Sequence, residues 1–422
     1  MKKIFNFLNI DKSLYGLTFE KIFINYFALL FISAIILLIT NKDWVFNILF
    51  PLSIWGLLFK YRANYVKYNT IDVLWILHLF WIFQTWLFND FPHKSTIVFY
   101  TIISHITYMM AYWISRKSSI SYLDLIIRQS FLPFLFASII GIYCFLYRPD
   151  WYMTMISNQA IEASIYTTDE NVFTDAFRLR SIFGDAYTMS YFSALMLIFL
   201  SFYCVKMKWK NDNYNGSYIT MLIIISIIVI VFCMMRAPIV CALLGFCLSL
   251  LMRRKLIRYF LIALIITPCV NILVNITFSK IDPNTEEYVK TKITSVTGKG
   301  NDEFVKERLF LMKTEDTLFG DGVGRHSVRA DFYIPGTMLP DGEYMKIIQE
   351  EGYIGLLITI LIFGIGLIKG LKNFTHLYLE TTIILMLFIC MIGANPLSTA
   401  NKHCFIYWIA LGQISKYFNK SV

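Results

Sequence analysis

The sequence is poor in charged residues. Asp, Glu, Lys and Arg make up only 16% of its 422 residues, whereas 57% are hydrophobic. A soluble domain carries about 25% charged residues, and a chain with so few cannot cover its own core with polar side chains. Soluble enzyme folds, fibrous proteins and disordered chains are therefore excluded, and the composition indicates an integral membrane protein.

Recognisable cysteine and histidine motifs are also lacking. The eight cysteines all lie in or at the ends of apolar runs, and none has C-x-x-C spacing. Neither a zinc site nor a disulfide framework is indicated. No pair of histidines has the spacing of metal ligands, so we predict no metal. Internal repeats and low-complexity tracts are absent from the sequence as well.

What the sequence does contain is a series of long apolar runs. A membrane-spanning helix needs about 20 mostly apolar residues, and the runs lack the alternation of an outer-membrane barrel. We therefore predict an all-α polytopic membrane protein with about twelve spans. They fall at residues 22–40, 44–59, 72–88, 96–115, 125–147, 182–205, 217–235, 237–252, 256–277, 352–369, 377–394 and 402–418.

Positive charge alternates between the short loops. With a cytoplasmic N-terminus, the inward segments hold twenty Lys or Arg residues and the short outward loops hold four. This bias predicts that both termini are cytoplasmic. The net charge of +10 thus indicates topology and contact with anionic membrane lipids, and no nucleic-acid partner is expected.

Two long polar stretches are predicted to lie outside. They divide the chain into a bundle of about nine helices at 1–277, which includes the outer loop 148–181, a large loop at 278–345, and about three helices at 346–422. Connections this long are usually functional or disordered. The large loop is net acidic, and its apolar stripe and charge spacing predict a short helix at about 302–314.

A glycine-rich turn lies late in the large loop, at Gly320-Asp321-Gly322-Val323-Gly324. Successive backbone N–H groups in such a turn can converge on an anion, which makes Gly322 and Gly324 candidates for substrate binding. The alternative is an ordinary flexible turn, since glycine is the usual turn residue.

Arginines recur where outer segments meet the membrane. Arg236 stands between two apolar runs, where it either reaches for the outer headgroups or binds a ligand. Arginine binds phosphate with two parallel hydrogen bonds and stays charged, so the set suits a diphosphate. Its other members are Arg178, Arg180, Arg308, Arg325 and Arg329.

Candidates for a general base lie at the end of the large loop. They are Asp341 and Glu343, with His326 as a third. A base must reach the proton that it removes and have a suitable pKa. His78 and His105 lie within predicted spans, where we expect satisfied interior residues.

Four stretches together resemble the bacterial O-antigen polymerases of the Wzy type, within the O-antigen polymerase and ligase superfamily. The first is Arg180 with Phe183-Gly184, and the second is Met235-Arg236-Ala237. The third is Glu307-Arg308-Leu309 followed by Leu318-Phe319 and the glycine turn. The fourth is Asp341-Gly342-Glu343-Tyr344 leading to Gln349-Glu350-Glu351-Gly352-Tyr353-Ile354-Gly355.

The resemblance implies a C-type glycosyltransferase fold with a large periplasmic loop, in the bacterial inner membrane. It implies polymerisation of undecaprenyl-diphosphate-linked oligosaccharide into O-antigen or a related surface polysaccharide, as part of lipopolysaccharide biosynthesis. Arg236 and Arg308 match the positions expected to hold the diphosphate, with Arg180 assisting. No cofactor is expected, because the glycosyl bond is already activated. A chain-length regulator and a flippase are candidate partners.

Two other functions compete with this interpretation. An O-antigen ligase shares the arginines but transfers glycan to lipid A–core, and related ligases carry a histidine where this chain has Asp341. A flippase for lipid-linked oligosaccharide also has about twelve spans. It would need charged residues along a central path, and the predicted spans nearly lack them apart from Arg128.

Overall fold

The computed structural model is mainly helical in the part of the chain that it describes. That part comprises residues 19–40, 45–154, 179–183, 186–206, 216–233, 235–251, 318–327, 330, 333–334, 342–397 and 402–417, and no strand occurs among them. In chain order its α-helices are α1 (Phe19–Ile24), α2 (Tyr26–Thr40), α3 (Val45–Lys60), α4 (Thr70–Phe88), α5 (Lys94–Thr101), α6 (Thr107–Met109), α7 (Ala111–Lys117), α8 (Tyr122–Gln129), α9 (Phe131–Tyr147), α10 (Ala186–Lys206), α11 (Gly216–Phe232), α12 (Arg236–Leu251), α13 (Glu343–Lys372), α14 (Phe374–Gly393) and α15 (Cys404–Tyr417).

The described helices have the length and composition of membrane spans. Five stretches are long and apolar enough to cross a membrane, or six when the bent pair α8 and α9 counts as one. Shorter apolar helices accompany them. The chain is therefore a helical membrane protein. The predicted span 256–277 and the predicted loop helix 302–314 lie outside the described residues.

Helix α15 forms the centre of the bundle. Every residue from Cys404 to Ser415 is buried, although the helix has only 14 residues. Gly412 lets it approach α7 closely, because a Cβ at this position would stand 2.4 Å from the Tyr112 carbonyl oxygen. Small residues at helix contacts serve this purpose in membrane proteins.

The helices of the bundle contain more charged residues than the predicted spans, which nearly lack them. Arg128 lies in α8, before a 44° bend, and pairs with Asp124 at 2.8 Å. Helix α13 instead begins at Glu343, nine residues before the predicted span 352–369 and inside the predicted loop 278–345. Its first turns carry charged side chains that the prediction placed ahead of the span, and these are buried inside the bundle.

Two cysteines that are distant in sequence meet where α12 packs on α14. The Sγ atoms of Cys241 and Cys390 lie 3.3 Å apart, and both residues are buried. Mild oxidation with copper phenanthroline should therefore join them in a disulfide, since a small movement brings sulfurs at this distance to bonding range. Mass spectrometry of non-reduced peptides would detect the linked pair.

The matched controls for this cross-link are two Cys→Ser variants in the same helix. Cys241→Ser should abolish the cross-link, whereas Cys247→Ser, which changes an exposed cysteine of α12, should leave it intact. A cross-link that survives Cys241→Ser, or none in the unaltered chain, would contradict this packing of α12 on α14.

Candidate functional site

Helix α13 is interrupted at Gly352, whose backbone angles are φ 71° and ψ −176°. This conformation is open essentially to glycine alone. The residues from Glu343 to Glu351 therefore form a short helical segment of their own. The carbonyl groups of its last turn need hydrogen-bond donors from outside the helix.

The glycine turn supplies two of these donors. The N–H groups of Asp321 and Gly322 donate to the carbonyl oxygens of Gln349 and Glu350, at 2.6 and 3.0 Å. A Cβ at Gly320, where φ is 71°, would stand 2.5 Å from backbone atoms of this segment. The turn is thus packed onto the break in α13, and the two must fit each other closely.

The other residues of the turn are also held by packing contacts. Its N–H groups at Asp321 and Gly322 are bound to α13, and that of Val323 lies 3.4 Å from Thr85 Oγ1. Gly324 serves close approach, because a Cβ there would stand 2.2 Å from Thr101 Oγ1. In this structure the turn is packed against α4, α5 and α13, and its glycines take part in these contacts.

A polar stripe on α4 holds the turn and the break from the opposite side. His78 Nε2 lies 2.7 Å from Glu351 Oε2, and the indole N–H of Trp81 donates to the Glu351 carbonyl oxygen at 2.8 Å. Nearer the end of the helix, Trp86 donates to the Val323 carbonyl at 2.7 Å and Asn89 donates to that of Gly320 at 2.8 Å.

The short segment of α13 carries a buried ionic cluster. Lys346 Nζ lies 3.9 Å from Glu343 Oε1 and 3.7 Å from Glu350 Oε2. Glu343 also fastens the chain that follows α14, because its N–H donates to the Ala394 carbonyl and its Oε2 accepts the Leu397 N–H, both at 2.9 Å. Buried charges are retained where they are paired, and this cluster meets that condition.

A second ionic group lies within the turn region itself. Asp321 Oδ2 lies 3.1 Å from His326 Nε2 and 3.5 Å from Arg325 Nη1. Burial alone would raise the pKa of Asp321, but the His326 hydrogen bond and the Arg325 charge outweigh it and hold the pKa below its ordinary value. The backbone N–H of His326 donates to Glu350 Oε1 at 2.9 Å, so both groups meet at Glu350.

Two of the three predicted diphosphate residues, Arg180 and Arg236, have described backbones, and these lie in a neighbouring part of the bundle. Arg180 is buried beside Tyr152; burial raises the pKa of this tyrosine to about 12, and the Arg180 charge opposes the shift. The preceding N–H, of Leu179, donates to the Phe232 carbonyl at 3.0 Å. The chain around Arg180 therefore lies beside the end of α11, close to where α12 begins at Arg236.

Helix α14 connects this region with the ionic cluster. Cys241 of α12 meets Cys390, which lies one turn before the Ala394 carbonyl that Glu343 binds. The start of α12, the start of α13 and the end of α14 thus share one end of the bundle. Of the remaining candidates, Arg178, Arg308, Arg329 and Asp341 lie outside the described residues, as does the side chain of Arg236.

Four of the buried polar residues were not predicted as site residues from the sequence, which led us to expect a satisfied interior residue at His78. His78, Lys346, Glu350 and Glu351 meet only through the contact of α4, α13 and the turn. One signal was available on α4, where polar or indole side chains recur at helical spacing on one face. The described residues include no group of three His, Cys, Asp or Glu side chains that could hold a metal ion.

Comparison with known proteins adds no family assignment. No protein-family model, no curated protein and no solved structure matches the chain.

Proposed function

We propose that this chain polymerises lipid-diphosphate-linked oligosaccharide repeat units, as O-antigen polymerases do. The observation that carries the proposal is the contact between stretches of the resemblance. The glycine turn packs onto Gln349 and Glu350 of α13, and the chain around Arg180 packs beside the end of α11, four residues before α12 begins at Arg236. Motifs far apart in sequence therefore form two adjoining groups at one end of the bundle.

The proposed topology has twelve spans with both termini in the cytoplasm of a bacterial inner membrane. Basic residues at the end of α7 and in the connection before α4 lie together at the end of the bundle opposite to Glu343. Arg116 donates to the Lys67 carbonyl at 2.8 Å, and Asn64 donates to that of Lys117 at 3.2 Å. A basic end is the cytoplasmic one under the positive-inside rule, so the Glu343 end would face the periplasm.

The proposed reaction is a single displacement at the anomeric carbon of the donor. A hydroxyl of the acceptor sugar attacks while a carboxylate of the fourth stretch takes its proton, for which Asp341 and Glu343 are the candidates from the sequence. The lipid diphosphate leaves, and guanidinium groups stabilise the charge that develops on it. Arg236 and Arg308 are the principal groups in this role, with Arg180 assisting.

Replacement of the two principal arginines tests the proposal. Arg236→Ala and Arg308→Ala should each abolish long glycan chains at unchanged protein level, because the leaving charge loses a fixed partner. The assay uses purified protein and lipid-linked repeat units, with chain length read from a gel ladder. The control is Lys369→Ala, which removes a positive charge at the opposite end of α13 and should leave the ladder unchanged.

The same assay distinguishes the polymerase from the competing ligase. A polymerase makes a ladder from lipid-linked repeat units alone, whereas a ligase makes product only when lipid A–core is added. Wild-type ladder length in both arginine variants would remove these residues from the mechanism.

A flippase is the second candidate, and the buried charges of α4 and α13 favour it. His78 Nε2 and Glu351 Oε2 lie 2.7 Å apart and both side chains are buried, and ionisable residues within spans often mark a transport path. In liposomes, a flippase moves lipid-linked oligosaccharide across the bilayer without lengthening it. Translocation with no ladder would therefore support the flippase over the polymerase.

A further inference from the structure

A small polar cavity lies between α5, the glycine turn and the first segment of α13. Its volume is about 20 Å³, which is enough for one water molecule or one hydroxyl group. Tyr100, Ser104 and Ser327 are half-buried at its edge. The polar side chains that line it are Tyr100, Thr101, Ser104, His105, Ser327, Lys346 and Glu350.

The wall of this cavity next to α5 is a π-helix, Ile102–Ile106, which contains Ser104 and His105. Single π-helical turns are rare and occur frequently at functional sites. The Nε2 atom of His105 is buried and has no hydrogen-bond partner among the described residues. A buried polar atom without a partner is costly, and since His105 lines the cavity, a polar guest bound to this nitrogen would relieve that cost.

Two hydroxyl groups at the cavity already donate hydrogen bonds to backbone carbonyl groups. Thr101 donates to the Ile97 carbonyl at 2.8 Å, and Ser104 donates to that of Tyr100 at 2.6 Å. Their oxygens therefore offer only lone pairs to a guest. A guest that donates a hydrogen bond, such as a hydroxyl, fits this arrangement.

Glu350 is the carboxylate that lines the cavity. Its Oε1 accepts the His326 N–H at 2.9 Å, which fixes the side chain. Its Oε2 lies 3.7 Å from Lys346 Nζ, beyond hydrogen-bond distance, and so keeps lone pairs for a guest. Glu343, by comparison, binds the Leu397 N–H and is not part of the cavity wall.

We propose that this cavity receives the reacting hydroxyl of the acceptor sugar and that Glu350 is its general base. The inference rests on the proposed function and assigns the base to an acid about 10 Å further along α13 than Glu343. Lys346 balances the carboxylate charge, and His105 orients the hydroxyl through Nε2.

In this step the hydroxyl proton moves to Glu350 Oε2 while an oxygen electron pair forms the bond to the donor anomeric carbon. The bond from that carbon to the lipid diphosphate breaks, and its electron pair leaves with the diphosphate. The carboxylate becomes a neutral acid and returns the proton to solvent or to the leaving group before the next cycle.

The test compares Glu350→Gln with Glu380→Gln. Glutamine keeps an oxygen to accept the His326 N–H but cannot take a proton, so polymerisation should fall about 10²–10⁴-fold. Binding of the lipid-linked repeat units, measured by photo-cross-linking, should persist. Glu380 is a buried acid of α14 outside the cavity, and its variant should polymerise at the wild-type rate.

A second variant tests the inference in case Glu350→Gln does not fold. Ser104→Val fills the cavity without removing a charge, and it should block polymerisation while lipid-linked substrate still binds. A wild-type rate in Glu350→Gln, or in Ser104→Val, would overturn the inference. Failure of the unaltered chain to form any ladder would instead count against the proposed function.

Discussion

Replacement of Gly352 by alanine is expected to lower the free energy of unfolding by about 3–5 kcal/mol, through backbone strain and overpacking together, and to abolish activity. The backbone of Gly352, at φ 71° and ψ −176°, has a conformation that costs a non-glycine residue about 1–3 kcal/mol. A Cβ would also stand 2.2 Å from the Leu318 carbonyl oxygen and 2.7 Å from the Phe319 nitrogen. These are backbone atoms that cannot rotate away, so the glycine turn must separate from α13.

The matched control is the same substitution twelve residues further along the same helix. A Cβ at Gly364 would meet nothing within 4 Å, and alanine in a helix interior is more stable than glycine by about 0.5–1 kcal/mol. Gly364→Ala should therefore raise stability slightly and keep activity. Thermal unfolding in detergent gives the two stabilities, and hydrogen exchange of residues 318–327 reports whether the turn has separated.

Equal stability of the two alanine variants would show that α13 has no fixed break at Gly352. Loss of activity in Gly352→Ala with unchanged exchange of the turn would mean that the glycine acts on substrate rather than on packing.

The class of fold could be predicted from composition, because too few charged residues are present for a soluble surface. The start of α13 could not be predicted from the sequence. Hydropathy placed it at residue 352, since Glu343, Lys346, Glu350 and Glu351 resemble loop residues. They enter the bundle because their charges are paired with one another and with His78, and hydropathy counts each side chain as if it were alone.

For a similar reason, only part of the site could be predicted from the sequence. The glycines at 320, 322 and 324 indicate positive φ angles, and all three have them. What they pack against depends on contacts such as that from Asn89 to Gly320, which are 231 residues apart. A single sequence contains no signal for that pairing, so the turn could not be assigned to the break in α13.

The other end of α4 provides the second large expected effect. Asp72 and Arg116 are almost fully buried, with Oδ1 and Nε 3.3 Å apart. Asp72 also accepts a hydrogen bond from Tyr112 and forms a capping box with Asn69, whose N–H donates to Oδ2 at 2.8 Å. Removal of one partner of a buried ion pair costs about 3–5 kcal/mol, because the other charge stays buried and unbalanced.

Asp72→Asn and Asp72→Ala should therefore differ in a defined way. Asparagine removes the charge but can still accept the Asn69 N–H, whereas alanine also loses that hydrogen bond, which is worth about 1 kcal/mol. We expect both to unfold at lower temperature than the unaltered chain, with the alanine variant the less stable. The double variant Asp72→Asn with Arg116→Met should recover most of the loss, because no unbalanced charge then remains. Additive losses in the double variant would mean that Arg116 is stabilised by groups other than Asp72, and the pair would not be what joins α4 to α7.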